Sequence, residues 1–156
     1  MNINQIRQLI KSAEESGTTI EFYGPQSEET IALVEQALGI RFPREYRIFL
    51  REFGGGGAVD TPLSGIWPSN PFDAGRGSVF GDTVRARVEN GLPERYVVVY
   101  RDDDIRELWV IDTFEVKADG TVPVLGFPAM RPTERCVRIA DSYGALVEIY
   151  FSNLCG

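Results

Sequence analysis

The most concentrated chemical groups in this sequence are the carboxylates of one short segment. Asp102, Asp103 and Asp104 are consecutive, and Glu107 follows them closely. Such a cluster could bind a metal ion or exchange protons with a substrate. Consecutive side chains of a turn splay apart, however, and the glycine and distal glutamate of a calcium-binding loop are missing from this spacing. The segment therefore predicts a solvated turn and no metal site.

Histidine is absent from the sequence, and the only cysteines are Cys136 and Cys155. The absence of histidine excludes self-contained Ser-His-Asp and Cys-His catalysis, as well as zinc sites with histidine ligands. Two cysteines provide neither a disulfide framework nor enough sulfur ligands for zinc. No spacing of carboxylates indicates a catalytic pair. Carboxylate chemistry and arginine-based phosphate chemistry remain open on composition alone, but no motif supports them. We therefore expect no enzymatic activity, no cofactor and no metal.

A second group of charges lies along one predicted helix, where Arg44, Arg47 and Arg51 are at positions i, i+3 and i+7. One interpretation is a surface that binds anions. The other is a solvated helix face, because Glu45 and Glu52 lie among the arginines and the sequence indicates no aromatic platform beside them. The local pattern favours the solvated face.

The overall charge argues against nucleic-acid binding. The chain of 156 residues has a formal net charge of −7 and a pI near 4.7, whereas a phosphate backbone requires a basic surface. An acidic surface can attract a basic protein partner, but it can also serve solubility alone.

Length and hydropathy indicate a single domain, residues 1–156, in the cytoplasm. A chain of this length can bury a core without disulfides or metals. No apolar run approaches the ~20 residues that cross a membrane, and the first residues lack the basic and apolar regions of a signal peptide. We therefore expect no membrane association. The sequence does not define the oligomeric state.

The strongest local pattern is a helix, a tight turn and a second helix between residues 27 and 57. Ser27 is a typical N-cap, and Gly39 suits the left-handed residue that ends a helix. Pro43 favours the first turn of the next helix. That helix has an apolar stripe at helical spacing and ends at four glycines, residues 54–57; the stripe consists of Tyr46, Phe49, Leu50 and Phe53.

The residues of this helix pair resemble, in their order, the motif of the SUKH superfamily. The motif is an amphipathic helix, Leu-Gly, an apolar residue and proline, an acidic residue and tyrosine, Phe-Leu, and a glycine-rich end. The matching residues are Leu38, Gly39, Phe42, Pro43, Glu45, Tyr46, Phe49, Leu50, Gly54 and Gly55. The superfamily includes a yeast regulator of cell-wall glucan synthesis and many bacterial immunity proteins, which neutralise toxins. The resemblance implies a protein-binding domain without enzymatic activity.

Periodicity predicts the remaining elements. Helices are expected at 2–17, at 79–90 and, capped by Asp141 or Ser142, over the last residues of the sequence. A β-hairpin is expected around the acidic turn, with strands at 96–100 and 108–111, and further strands at 114–117 and 122–127. Extended segments are expected at 19–24 and 63–67, and residues 136–139 form either a strand or a helix lead-in. In the arrangement that the resemblance implies, these elements form an α+β fold, in which N-terminal helices and a C-terminal helix pack on one face of a central, mainly antiparallel sheet.

Two exposed segments provide the candidate partner-binding residues. One is the loop 68–77 with its flanks, whose aromatic residues either close the core or anchor a partner: Trp67 and Phe72. The other is the acidic turn, whose carboxylates would face a basic surface: Asp102, Asp103, Asp104 and Glu107. The leading hypothesis is a bacterial immunity protein whose partner is a cognate toxin domain, such as a basic nuclease or deaminase. The alternative is a regulatory or scaffolding domain that binds an endogenous partner.

Overall fold

A computed structural model describes residues 1–131 and 134–156 of the protein. The elements within these residues are, in chain order, α1 (Ile3–Glu15), β1 (Ile20–Phe22), α2 (Glu28–Leu38), α3 (Arg44–Glu52), β2 (Gly56–Ala58), α4 (Val79–Glu89), β3 (Tyr96–Asp102), β4 (Glu107–Asp112), β5 (Val124–Pro128), β6 (Val137–Ala140) and α5 (Tyr143–Leu154). Side chains that accept a hydrogen bond from the third residue ahead cap α1, α2, α4 and α5: Asn2, Ser27, Ser78 and Ser142. These caps satisfy N–H groups that a first helical turn leaves unpaired, so the local sequence defines where these helices begin.

The predicted helix pair is confirmed as α2 and α3. Gly39 ends α2 in the left-handed region, with a φ of 72°, which glycine adopts without a steric penalty. Glu35 of α2 is only 7% exposed. It accepts a hydrogen bond of 2.6 Å from the Phe42 N–H and also pairs with Arg47 of α3. One buried carboxylate therefore holds the turn between the two helices.

A four-stranded antiparallel sheet in the order β3-β4-β5-β6 lies between two hydrophobic clusters. Successive residues of a strand point to opposite faces, and Val97 and Val99 belong to the larger cluster whereas Val98 belongs to the smaller one. The larger cluster includes the apolar faces of α1, α2, α3 and α5, and the smaller one includes Ala86 of α4 and Leu92. This arrangement confirms the predicted α+β fold with its mainly antiparallel sheet.

The outer edge of β3 is covered by α4 and by the segment that precedes it. Thr83 of α4 accepts a hydrogen bond of 3.0 Å from the Val98 N–H, and the Ser64 N–H donates to the Val99 carbonyl at 2.9 Å. Covering an edge in this way prevents another strand from pairing there. It also fixes α4 beside the β3–β4 hairpin, where the candidate site lies.

The predicted extended arm is strand β1, which pairs with a strand that the sequence analysis did not predict, β2. The sequence pattern predicts only a helix end at the glycines of residues 54–57, but two of them, Gly56 and Gly57, belong to β2. They permit a close approach, because a Cβ at Gly56 would lie 2.3 Å from the Glu21 carbonyl oxygen and one at Gly57 would lie 2.5 Å from Tyr150 Oη. Tyr150 of α5 in turn accepts a hydrogen bond of 2.8 Å from the Ala58 N–H.

The prediction of a strand at 114–117 is wrong. Phe114 is 73% exposed and Val116 is 47% exposed, so their alternation with polar residues does not mark a buried face. Residues 63–67 are not a strand either, and form only isolated bridges at Leu63 and Gly65. Of the two alternatives for residues 136–139, a strand or a helix lead-in, the structure has the strand, β6.

Candidate functional site

The turn between β3 and β4 presents four consecutive exposed residues, 103–106. Asp102 defines its shape, because its Oδ1 accepts hydrogen bonds from the backbone N–H groups of Asp104 at 3.0 Å and Ile105 at 3.2 Å. Arg106 follows in the left-handed region, with a φ of 53°. Ile105 itself is 64% exposed. The turn therefore holds an aliphatic side chain in solvent on a well-defined backbone.

The central aspartate of the turn is paired with two arginines. Asp103 accepts a hydrogen bond of 2.8 Å from Arg101 Nε, and its other carboxylate oxygen lies 3.1 Å from Arg76 Nε. The hydrogen bond from Arg101 lowers the pKa of Asp103 because it stabilises the charged form. Arg76 belongs to the loop 68–77, so this ion pair connects the loop to the turn. The two segments predicted to bind a partner therefore meet at Asp103.

The sequence analysis missed Asp82, a buried carboxylate of α4. It is 2% exposed and accepts hydrogen bonds from Ser64 Oγ at 2.8 Å, the Gly77 N–H at 3.1 Å and Arg101 Nη1 at 3.4 Å. Burial raises the pKa of Asp82, although these hydrogen bonds oppose the shift. No sequence signal marks this residue, because an aspartate in the first turn of a helix is ordinarily exposed and most of its donors are distant in sequence.

An open pocket of about 400 Å³ lies between α4, the turn and the segment that follows β5; we call it the hairpin pocket. Its charged lining includes both signs: Asp82, Arg85, Glu89, Arg101, Asp103 and Arg106. Its apolar lining includes Leu108 and Met130, and Met130 is 64% exposed. A lining of this kind can receive a side chain of a partner protein and can pair with either sign of charge at the rim.

The two carboxylates Asp82 and Asp103 of the hairpin pocket both pair with one arginine. Arg101 lies between Asp82 and Asp103 and contacts both, so a permanent positive charge separates the two acids. A carboxylate dyad of the aspartic-protease type instead requires two adjacent acids that share a proton. Within residues 1–131 and 134–156, no three histidine, cysteine or acidic side chains are grouped so that they could hold a metal ion.

The two predicted aromatic residues occupy different environments. Trp67 is half-buried and packs edge-on against Tyr23, with 6.2 Å between the ring centroids. A Cβ at Gly75 would lie 2.9 Å from its ring, so the loop 68–77 covers it. Phe72 is 42% exposed and packs edge-on against Phe80 of α4, with 5.4 Å between the centroids. Phe72 is therefore accessible to a partner, whereas Trp67 supports the loop.

The other two acidic residues predicted to bind a partner, Asp104 and Glu107, lie in different environments. Asp104 is exposed at the turn. Glu107 accepts a hydrogen bond of 3.0 Å from Trp109 Nε1, and alternation along β4 directs it to the face opposite Leu108 and the hairpin pocket. The structure therefore brings Asp103 and Asp104 together on the turn, uses Asp102 to close the turn, and directs Glu107 elsewhere.

A sequence model of the SMI1-KNR4 cell-wall family, SUKH_5, matches residues 5–126. The chain belongs to this family. The match includes the helix pair and the hairpin pocket's α4 and turn, and it confirms the predicted membership of the SUKH superfamily. No curated protein matches the chain significantly.

Membership of the SMI1-KNR4 family supports a non-enzymatic binding domain at the level of the family. The hairpin pocket agrees with this, since Arg101 pairs with both Asp82 and Asp103 in its lining and the exposed Ile105 lies on the same turn. Across residues 1–131 and 134–156, every helix is too short or too polar to span a membrane.

Proposed function

We propose that this SMI1-KNR4 family protein is a bacterial immunity protein that binds and neutralises a cognate toxin domain in the cytoplasm. The observation that carries the proposal is the exposed Ile105, which lies on a turn closed by Asp102 beside the hairpin pocket. An exposed apolar side chain on a turn with internal hydrogen bonds favours a protein partner, because less backbone has to be ordered on binding. Family membership and the net charge of −7 add support.

The proposed binding surface consists of Ile105, Asp104, Met130 and Phe72. Ile105 and Met130 supply apolar area, and burial of such side chains at the centre of an interface commonly contributes the most affinity. Asp104 supplies a carboxylate that can attract a basic toxin surface and increase the rate of association. Neutralisation would follow from occlusion of the toxin's active site, which requires no chemistry from this chain.

The first experiment identifies the partner. A tagged chain captures proteins from its native cytoplasm at low and high salt, and each captured protein is expressed alone and with this chain. We expect one protein that stops growth when expressed alone and is tolerated when this chain is present. Recovery of no such protein by the wild-type chain would contradict the immunity role.

Two substitutions define the surface. Ile105→Asp should weaken the affinity for that toxin about tenfold or more, since a buried apolar contact becomes an unpaired charge. The matched control is Ile149→Asp on α5, where the side chain is 46% exposed, and it should leave the affinity unchanged. Equal effects of the two variants would contradict the assignment of Ile105.

A charge reversal tests the electrostatic part of the proposal. Asp104→Arg should weaken binding of a basic toxin and flatten its dependence on salt, because screening acts only on the charges that contribute. Asp104 is the better choice than Asp103, whose reversal would also break the ion pairs with Arg76 and Arg101. An unchanged affinity and an unchanged salt dependence would exclude the acidic turn from the interface.

A second candidate function is a regulatory domain that binds an endogenous partner. The name of the matching family, which refers to the cell wall, favours it. The same capture experiment separates the two functions, because a regulatory domain would retain a protein that does not stop growth when expressed alone.

A further inference from the structure

A second charged surface lies at the opposite end of the β3–β4 hairpin from the turn. An open pocket of about 450 Å³ forms between the start of α3 and the connection that follows β4; we call it the arginine pocket. Its basic lining consists of Arg41, Arg44, Arg47 and Arg51. Because β4 has six residues, this pocket is about 20 Å from the turn along the strand.

The inner arginines of the pocket already bind carboxylates of this chain. Glu28 pairs with both Arg47 and Arg51, the latter at 3.1 Å, and Glu35 also pairs with Arg47. These pairs show that the pocket accommodates carboxylate groups between neighbouring guanidinium groups. They also hold Arg47 and Arg51 in position.

The outer arginines have no such partner. Arg41 and Arg44 are exposed. Within residues 1–131 and 134–156, neither forms an ion pair with a carboxylate, whereas Arg47 and Arg51 both do. The lining contains four arginines and one acidic residue, Glu28. The pocket is therefore locally positive on a protein whose net charge is −7.

Apolar groups accompany these arginines, contrary to the expectation from the sequence. Phe42 and Val116 line the arginine pocket. Phe114 lines the adjoining groove with Arg41 and is 73% exposed. An exposed aromatic residue next to unpaired arginines is not what a merely solvated helix face requires.

We propose that the arginine pocket binds a short acidic peptide segment of a protein partner. Carboxylates of the peptide would pair with Arg41 and Arg44, as Glu28 pairs with Arg47 and Arg51. An apolar side chain of the peptide would pack on Phe114 and Val116. This surface is distinct from the hairpin pocket, and the proposal does not rest on the immunity role.

A peptide fits the surface better than a nucleic acid does. A long polyanion would extend beyond the pocket over a protein of net negative charge, and the resulting repulsion would oppose binding. A short segment places its charges only at the outer arginines.

The test uses a fluorescein-labelled peptide in which glutamate and phenylalanine alternate, with binding followed by fluorescence anisotropy. The wild-type protein should bind the peptide and should release it as the salt concentration rises. The variant Arg41→Glu/Arg44→Glu should bind at least about tenfold more weakly. The matched control is Arg135→Glu/Arg138→Glu, which makes the same change in net charge at exposed residues near β6 and should bind as the wild type does. Circular dichroism confirms that each variant is folded.

Three outcomes would overturn the proposal. One is the absence of peptide binding by the wild-type protein at millimolar concentration. Another is an equal loss in both double variants, which would assign the effect to net charge alone. The third is displacement of the peptide by single-stranded RNA at a lower concentration than by unlabelled peptide, which would assign the pocket to nucleic acid.

Discussion

Replacement of Asp82 by alanine should destabilise the protein, because it removes the acceptor of three hydrogen bonds. The donors are Ser64 Oγ, the Gly77 N–H and Arg101 Nη1. Ser64 and Gly77 are buried, so they cannot bind water unless the structure opens. A buried donor left without a partner costs about 1–3 kcal/mol of the free energy of unfolding.

The expected total is smaller than the sum of three such losses. Arg101 is 20% exposed at its side chain and also pairs with Asp103, so it can be solvated after the substitution. The variant also no longer buries a carboxylate, which is unfavourable in the wild type. We therefore expect a loss of about 2–3 kcal/mol, equivalent to a decrease in Tm of about 4–12 °C for a chain of this length.

Urea unfolding followed by far-ultraviolet circular dichroism measures this loss, with an unchanged m-value as the sign that the unfolded state is the same. The matched control is Asp82→Asn, which keeps one acceptor oxygen and should lose less stability than the alanine variant. A free energy of unfolding for Asp82→Ala within about 0.5 kcal/mol of the wild type would refute the structural role of these hydrogen bonds.

The pH dependence of the free energy of unfolding provides a second test of Asp82. Burial raises the pKa of Asp82 in the folded state above its value in the unfolded chain. At a pH between these two pKa values, the folded protein therefore binds a proton that the unfolded chain does not bind. The contribution of Asp82 to the stability of the wild type should therefore increase as the pH falls through the folded-state pKa of Asp82. The difference in stability between the wild type and Asp82→Ala should increase in the same interval, and a constant difference would contradict the burial of an ionised group.

Two further substitutions test contacts elsewhere. Tyr150→Phe should lower the free energy of unfolding by about 1–3 kcal/mol, because the hydroxyl accepts from the Ala58 N–H and donates to the Thr61 carbonyl. Burial raises the pKa of Tyr150 to about 12, so urea titrations at neutral and mildly alkaline pH should give the same loss. Asp103→Asn should remove a small stabilisation, below about 1 kcal/mol at this exposed site, that Arg101 provides to the carboxylate. Since the pKa of Asp103 is lowered, that stabilisation is present above the unfolded-state value and is lost as the pH falls through the folded-state value; parallel acid titrations of variant and wild type would contradict this.

Elements that depend on neighbouring residues were predicted well from the sequence. Ser27 and Gly39 define the two ends of α2 through local hydrogen bonds and local backbone conformation, and the hairpin follows from two apolar runs around a polar turn. The wrong prediction of a strand at 114–117 also rested on a pattern of residues that are neighbours in sequence. Alternation of apolar and polar residues predicts a half-buried strand, but Phe114 is 73% exposed and has the Arg95 guanidinium over its ring.

The candidate site was predicted only in part, because its geometry depends on residues that are distant in sequence. The turn and the loop 68–77 were both identified, but the ion pair between Arg76 and Asp103 that joins them was not. Asp82 was missed for the same reason. The arginine pocket is a further example. The sequence shows the arginines on one helix, but the exposed aromatic residue near them, Phe114, belongs to a connection about 70 residues later.

The hydrogen bond between Tyr150 and the short strand β2 has a consequence for the order of events during synthesis. β2 is complete once residue 58 has been made, but the group that binds its Ala58 N–H arrives 92 residues later. The first helix, α1, likewise packs against the last one, α5. At about 5–20 residues per second, the apolar faces of the early helices remain uncovered for several seconds on the ribosome. This protein therefore completes its core only after Tyr150 has left the exit tunnel, and chaperones that bind exposed apolar segments have a long interval in which to meet the nascent chain.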